Sequence, residues 1–123
     1  AMALWLLNGG EATVASFGGL DAARRVLVPF IEGLSLYHET ETHLFVHAGL
    51  LPDEPPERTP EEVLLWSRDL RPHASGKTVV VGHSIQPEVR LLEGVVAVDT
   101  GAFLTGVLSA YDVISGRVYA TRP

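Results

Sequence analysis

Three short apolar runs in this sequence each end at a polar side chain that can do chemistry. "LFVHAG" carries His47, "TVVVGHS" carries His83, and "VVAVDTGA" carries Asp99. A glycine lies within two positions of each of these residues, which lets the backbone approach a ligand closely or adopt a positive φ. Neutral imidazole is a common ligand of manganese, iron and zinc, so the two histidines are candidate metal ligands at strand ends.

The three other histidines lack this context. His38 and His43 fall in the polar segment "YHETETH", and His73 falls in "RPHASG", which is typical of a loop. A single histidine near a strand end is usually a hydrogen-bonded structural residue, and that interpretation stays open for His47 and His83 as well. The shared strand-and-glycine context nevertheless favours a functional role for that pair.

The first part of the chain is predicted to be helical. A first helix ends near Asn8, and the periodicity predicts a second helix in "LDAARRVLVPFIEGL", with Pro29 near its end. Its predicted apolar face comprises Leu20, Ala23, Val26, Leu27 and Phe30. A third helix follows the proline-rich loop at 51–60. Thr59 is its predicted N-cap, with Pro60 at the first helical position and Glu62 completing a capping box.

The later part of the chain is predicted to form strands. "THLFVHAG" is a strand, and the apolar runs in "GKTVVVGHS" and "GVVAVDTGA" are typical of strands that are covered on both faces. "LTGVLSAYDV" and "RVYATR" predict an antiparallel pair joined through "ISG". Helices come early and strands cluster late, so we predict an α/β fold, a layered sandwich of mixed sheets flanked by helices.

Composition narrows the classes of function. The 123 residues suffice for one domain, and 46% of them are hydrophobic, so a core can form. The net charge of −6 with no basic run argues against a nucleic-acid partner, and the absence of cysteine excludes thiolate metal sites. No membrane span or signal peptide is predicted, so a cytoplasmic protein is expected.

The ordered motifs "WLLNGGEATVASFGG", "FVHAG", "LLWSRD", "VVVGHS" and "VDTGAFLTGVLSAYDV" resemble the C-terminal half of bacterial serine/threonine protein phosphatases. These enzymes belong to the phosphoprotein phosphatase family of metallophosphoesterases. The resemblance covers essentially all of residues 1–123. It implies that the chain is the C-terminal part of one metallophosphoesterase domain, and that the fold is the layered sandwich of that family.

The resemblance also implies a chemistry, in which two divalent metal ions hydrolyse a phosphoester. Manganese is expected, with iron or zinc as options. His47 and His83 match the family's ligands of the second metal, and Arg68 matches the arginine that binds the substrate phosphate. Asp99 matches a position that supports the site rather than a ligand. The implied substrate is a phosphoprotein or a phosphorylated small molecule, including diadenosine polyphosphates.

The sequence departs from the family in two ways. The earlier motifs "GDxHG", "GDxxDRG" and "GNHE", which supply the other ligands and the general acid, do not occur, and "GHTP" is replaced by "GHSI". We therefore expect that the upstream half of the domain is absent from this chain and that the chain alone is inactive. We also expect exposed apolar surface, chiefly at "AMALWLL", to cause self-association. The alternative is a catalytically inactive half-domain that serves as a binding or structural module.

Overall fold

The computed structural model describes residues 2–121 and divides the chain into two compact units, Ala1–Ser35 and Leu36–Pro123. The first unit is helical. It contains α1 (Met2–Trp5), a π-helical turn (Leu6–Gly10), α2 (Glu11–Ser16) and α3 (Leu20–Glu32). The predicted end of the first helix near Asn8 is confirmed by a break at Gly9, where φ is 98°. The chain then resumes a helix at Glu11, which was not predicted from the sequence.

The apolar face of α3 differs in part from the prediction. Ala23 is buried, but Val26 and Phe30 are 56% and 62% exposed. The helix instead presents Leu20, Leu27 and other residues to a cavity of about 610 Å³ within the first unit. Pro29 does not end the helix, because the chain stays helical to Glu32 and the N–H of Gly33 closes the last turn on the Pro29 and Phe30 carbonyls.

The second unit is built on a mixed five-stranded sheet. Its strands are β1 (Tyr37–Glu39), β2 (His43–Val46), β3 (Thr78–Val81), β4 (Arg90–Leu92) and β5 (Val95–Ala97), in the spatial order β1-β2-β3-β5-β4. β2, β3 and β5 are parallel neighbours, and β1 and β4 pair antiparallel at the two edges. The predicted α/β class is therefore confirmed at the level of a mixed sheet with helices.

The core lies on one face of this sheet. In β2 and β3 every second residue is buried, and all three residues of β5 are buried. The prediction of a strand covered on both faces thus holds for β5, whereas Thr78 and Val80 in β3 are only half-buried. The buried cluster comprises Leu44, Val46, Leu50, Leu64, Val79, Val81, Val95 and Ala97.

α4 (Glu61–Trp66) connects β2 to β3 after a short 3₁₀ turn (Pro56–Arg58). The predicted capping box is wrong. Pro60, rather than Thr59, occupies the N-cap position, and no side chain caps the helix. The buried Thr59 hydroxyl accepts a hydrogen bond from the N–H of Leu51 at 3.3 Å, so the preceding loop engages the group that was predicted to cap the helix.

The remaining elements are α5 (Ala102–Thr105) and a two-stranded sheet of β6 (Ser109–Tyr111) and β7 (Val118–Ala120). This sheet is antiparallel, as the sequence predicted. Within residues 2–121, no helix is both long enough and apolar enough to cross a lipid bilayer.

Candidate functional site

The three polar residues singled out in the sequence lie at one edge of the five-stranded sheet. His47 directly follows β2, His83 comes two residues after β3, and Asp99 comes two residues after β5. Because these three strands are parallel neighbours, their carboxyl ends meet at the same edge. The predicted convergence of the strand ends is therefore confirmed.

The two imidazoles of this edge face each other. Nε2 of His47 lies 3.2 Å from Nδ1 of His83, and the ring centroids are 5.0 Å apart at an interplanar angle of 60°. The backbone holds the two loops together as well, since the N–H of Gly82 donates to the carbonyl oxygen of His47 at 2.9 Å. A Cβ at position 82 would lie 3.4 Å from that oxygen, at van der Waals distance.

His83 has an unusual backbone conformation. Its φ of 56° makes it the one non-glycine residue with positive φ in the part of the chain that the structure describes. The N–H of Ser84 lies 2.5 Å from the carbonyl oxygen of Gly82, which closes a tight turn around His83. Non-glycine residues with positive φ cost free energy and cluster at functional sites.

Arg68 and Trp66 border the histidine pair. The indole of Trp66 meets the ring of His83 edge-on, with centroids 5.6 Å apart. Arg68 lies two residues beyond the end of α4, on an extended segment rather than on the helix itself. Its side chain is exposed and lies close enough to His83 to affect that residue's titration.

The charge state of His83 follows from these neighbours. Burial, the positive charge of Arg68 and the proximity of His47 lower the pKa of His83, and the Asp99 carboxylate opposes them with a smaller effect. The lowered pKa favours the neutral imidazole of His83 at pH 7. This is the form in which histidine binds a metal ion.

Asp99 stabilises the loop beside the histidines. One of its carboxylate oxygens accepts the N–H of Gly101 at 2.8 Å, and its carbonyl oxygen accepts the N–H of Gln86 at 2.8 Å. Gly101 has φ 64°, and a Cβ there would lie 2.9 Å from the Ile85 side chain, so a side chain at this position would strain the backbone and require Ile85 to shift. These contacts suit the supporting role that the resemblance implied for Asp99.

The separation of the two imidazole nitrogens fits a shared metal ion. Two nitrogens at about 2.0–2.1 Å from one ion lie roughly 2.8–3.4 Å apart for bond angles between octahedral and tetrahedral values. The 3.2 Å between Nε2 of His47 and Nδ1 of His83 falls in this range. Residues 2–121 contain no group of three or more histidine, cysteine, aspartate or glutamate side chains that could hold a metal, so this pair could offer at most two ligands to one ion.

The other histidines have local structural contacts. His73 is buried, and its Nε2 lies 2.8 Å from the carbonyl oxygen of Glu54 while its Nδ1 accepts from Ser75. His43 is hydrogen-bonded to Thr42 and stacks on Phe45, and His38 approaches the same ring from β1. These contacts agree with the structural role predicted for all three.

Three features of the site were not singled out from the sequence. They are the aromatic edge of Trp66 against His83, the contact between Ser67 and Gly49, and the buried Ser84 hydroxyl, which has no hydrogen-bond partner in the described residues. A partial signal for the last is present in the sequence, because "GHSI" keeps a hydroxyl beside the histidine. The first two depend on where α4 ends, which the sequence did not specify.

Comparison with known proteins adds no family assignment. The sequence matches no protein-family model, and no curated protein matches it. The resemblance to phosphoprotein phosphatases therefore stays a prediction based on the motifs quoted above.

Proposed function

We propose that this chain forms part of a metal-dependent phosphoesterase of the phosphoprotein phosphatase type, acting in the cytoplasm. His47 and His83 are two ligands of one of its two divalent ions, and Arg68 binds the substrate phosphate. The observation that carries the proposal is the 3.2 Å approach of Nε2 of His47 to Nδ1 of His83 at the carboxyl edge of three parallel strands.

The side chains present suit these roles. When bound, two divalent ions, manganese by preference and iron or zinc otherwise, supply an activated hydroxide and neutralise charge on the phosphoryl oxygens. Arg68 contributes a planar guanidinium that can donate two parallel hydrogen bonds to a phosphate. The surroundings of His83 favour its neutral form, and Asp99 fixes the loop next to it.

We propose a phosphoprotein or a phosphorylated small molecule as the substrate, with diadenosine polyphosphates as the specific alternative. The remaining metal ligands and the general acid come, in this proposal, from the three motifs that the sequence lacks. The layered metallophosphoesterase sandwich is the corresponding proposal for the complete fold.

The second candidate function is a catalytically inactive module that binds a partner. The absence of the motifs "GDxHG", "GDxxDRG" and "GNHE" from the sequence favours it for the chain alone. The two candidates differ in whether a supplied upstream half restores turnover.

The test is hydrolysis of p-nitrophenyl phosphate with manganese present. We expect the 123-residue chain alone to be no faster than buffer, and the chain joined to an upstream half that carries the three motifs to be active. In that active form His47→Ala or His83→Ala should abolish most of the activity, and Arg68→Ala should mainly weaken phosphate binding. His38→Ala is the matched control. Metal-dependent turnover by the chain alone that survives His47→Ala would contradict the proposal.

A further inference from the structure

The segment that carries Arg68 has no regular secondary structure, yet it is fixed on both sides of that residue. α4 ends at Trp66, and Ser67 turns the chain out of the helix with φ −61° and ψ 146°. The Ser67 hydroxyl accepts a hydrogen bond from the N–H of Asp69 at 3.1 Å. Because this bond spans Arg68, the backbone of Arg68 lies between two anchored neighbours.

Ser67 also packs against the loop that carries His47. Gly49 has no side chain, and a Cβ atom there would lie 3.0 Å from both Cβ and Oγ of Ser67. The same loop is bonded to α4, since the N–H of Ala48 donates to the carbonyl oxygen of Leu64 at 2.9 Å. The loop after β2 and the end of α4 are therefore in direct contact, and Ser67 is the side chain at that contact.

The acidic neighbour of Arg68 is engaged elsewhere. The Asp69 carboxylate accepts from Nε of Arg71 at 2.6 Å and lies 2.5 Å from its terminal nitrogen. Within residues 2–121 the guanidinium of Arg68 has no salt-bridge partner. The guanidinium of Arg68 is thus available to an anion while its backbone is held.

We infer that Ser67 is a positioning residue for Arg68. Its hydroxyl fixes the backbone at Arg68, and its contact with Gly49 sets the place of that backbone relative to His47. A phosphate bound by Arg68 is thereby presented to the edge where His47 and His83 meet. This inference rests on the proposed function, which assigns the phosphate to Arg68.

The first part of the test follows backbone protection in the metal-free chain by amide hydrogen exchange. Ser67→Ala removes the acceptor of the Asp69 N–H, so exchange at Asp69 should accelerate on the order of tenfold, as expected for the loss of one hydrogen bond. The matched control is Ser115→Ala in the turn between β6 and β7, which should leave Asp69 unchanged. Unchanged exchange at Asp69 in Ser67→Ala would overturn the inference.

The second part titrates orthophosphate while the Nε–H signal of Arg68 is followed by NMR. Ser67→Ala and Gly49→Ala should each weaken phosphate binding several-fold. Overall binding of phosphate is compared in the Arg68→Ala background, where Ser67→Ala should have no further effect because Ser67 acts only through Arg68. A general loss of stability would not produce that dependence.

The outcomes separate this inference from the proposed function. Equal weakening by Ser67→Ala with and without Arg68 would overturn the positioning role alone. If orthophosphate leaves the Arg68 signal of the wild-type chain unchanged, the proposed function fails. Ser67 would then be left with a structural contact only, and the inference would fall with the proposed function.

Discussion

At His83 the backbone conformation and the chemistry of the side chain make opposing demands. A left-handed residue other than glycine costs roughly 1–2 kcal/mol, and His83 adopts φ 56°. The tight turn between Gly82 and Ser84 nevertheless directs the imidazole to within 3.2 Å of His47. We interpret the strained conformation of His83 as the feature that brings the two rings together before any ion binds.

This interpretation predicts the order of stability of two variants. Both His83→Gly and His83→Ala remove the ring, but only glycine relieves the backbone. His83→Gly should therefore be more stable to unfolding than His83→Ala by about 1 kcal/mol, measured by urea denaturation.

The matched pair at His38, in β1, should show the opposite order. Glycine within a strand destabilises a protein by roughly 0.5–1 kcal/mol relative to alanine, so His38→Gly should be less stable to unfolding than His38→Ala. Equal stabilities of His83→Gly and His83→Ala would contradict the strain at His83.

At the scale of elements, the hairpin of β6 and β7 depends on one carboxylate in its turn. The Asp112 side chain accepts the hydroxyl of Ser115 and the N–H groups of Ile114 and Ser115. The Ser115 hydroxyl, followed by these two N–H groups, lowers the pKa of Asp112 below its usual value. The ionised carboxylate therefore stabilises the turn.

The lowered pKa of Asp112 sets the direction in which stability depends on pH. A lowered folded-state pKa means that the stabilisation is present above the unfolded pKa of about 3.9 and is lost as pH falls through the folded pKa. Ser115→Ala should raise the pKa of Asp112 towards its usual value, measured by NMR titration of the carboxyl carbon. An unaltered Asp112 pKa in Ser115→Ala would refute this account of the turn.

The helices and strands also show how much of the structure can be predicted from the sequence. The edge that gathers His47, His83 and Asp99 was predictable, because apolar runs that end in polar residues locate strand ends and parallel strands align those ends. β1 and β4 were not predicted, since three-residue edge strands such as Tyr37–Glu39 carry too few residues for a clear alternation. The capping error at Thr59 arose because a hydroxyl near a helix start can bond within the preceding loop instead.

The position of Arg68 cannot be predicted from the hydrophobic periodicity of the helix alone. From the residues alone "LLWSRD" reads as a continuing helix, and the charge would then lie on an exposed helical face. The structure ends α4 at Trp66 and places Arg68 on an extended segment, where its charge lowers the pKa of His83. Long-range contacts such as that of Ser67 with Gly49, which lie 18 positions apart in the sequence, are set by packing and leave no local signal.

At the scale of the whole molecule, exposed apolar side chains are concentrated at the start of the chain. Leu4 and Leu7 are 65% and 82% exposed, and Met2 and Trp5 are exposed as well. Exposed apolar side chains close together in the sequence can form an interface, so we predict that the chain self-associates. This agrees with the exposure predicted for "AMALWLL", of which Ala1 lies outside the described residues, whereas association itself stays a prediction.

Self-association can be measured by analytical ultracentrifugation. Leu7→Glu should shift the wild-type dimer or larger species towards monomer, because it places a charge in the apolar surface. Ala12→Glu, which puts the same charge on exposed α2, is the matched control and should have little effect. A wild-type chain that sediments as a single monomer at all concentrations would contradict the prediction.

The central claim is that His47 and His83 bind one divalent ion together, and manganese titration followed by NMR tests it most directly. A paramagnetic ion broadens the signals of the rings that bind it. We expect the ring signals of His47 and His83 to broaden together at low manganese concentration, while those of His38, His43 and His73 persist, and His47→Ala to remove the effect on His83. Broadening of all five histidines in parallel, or of His83 alone with no change in His47→Ala, would contradict the account.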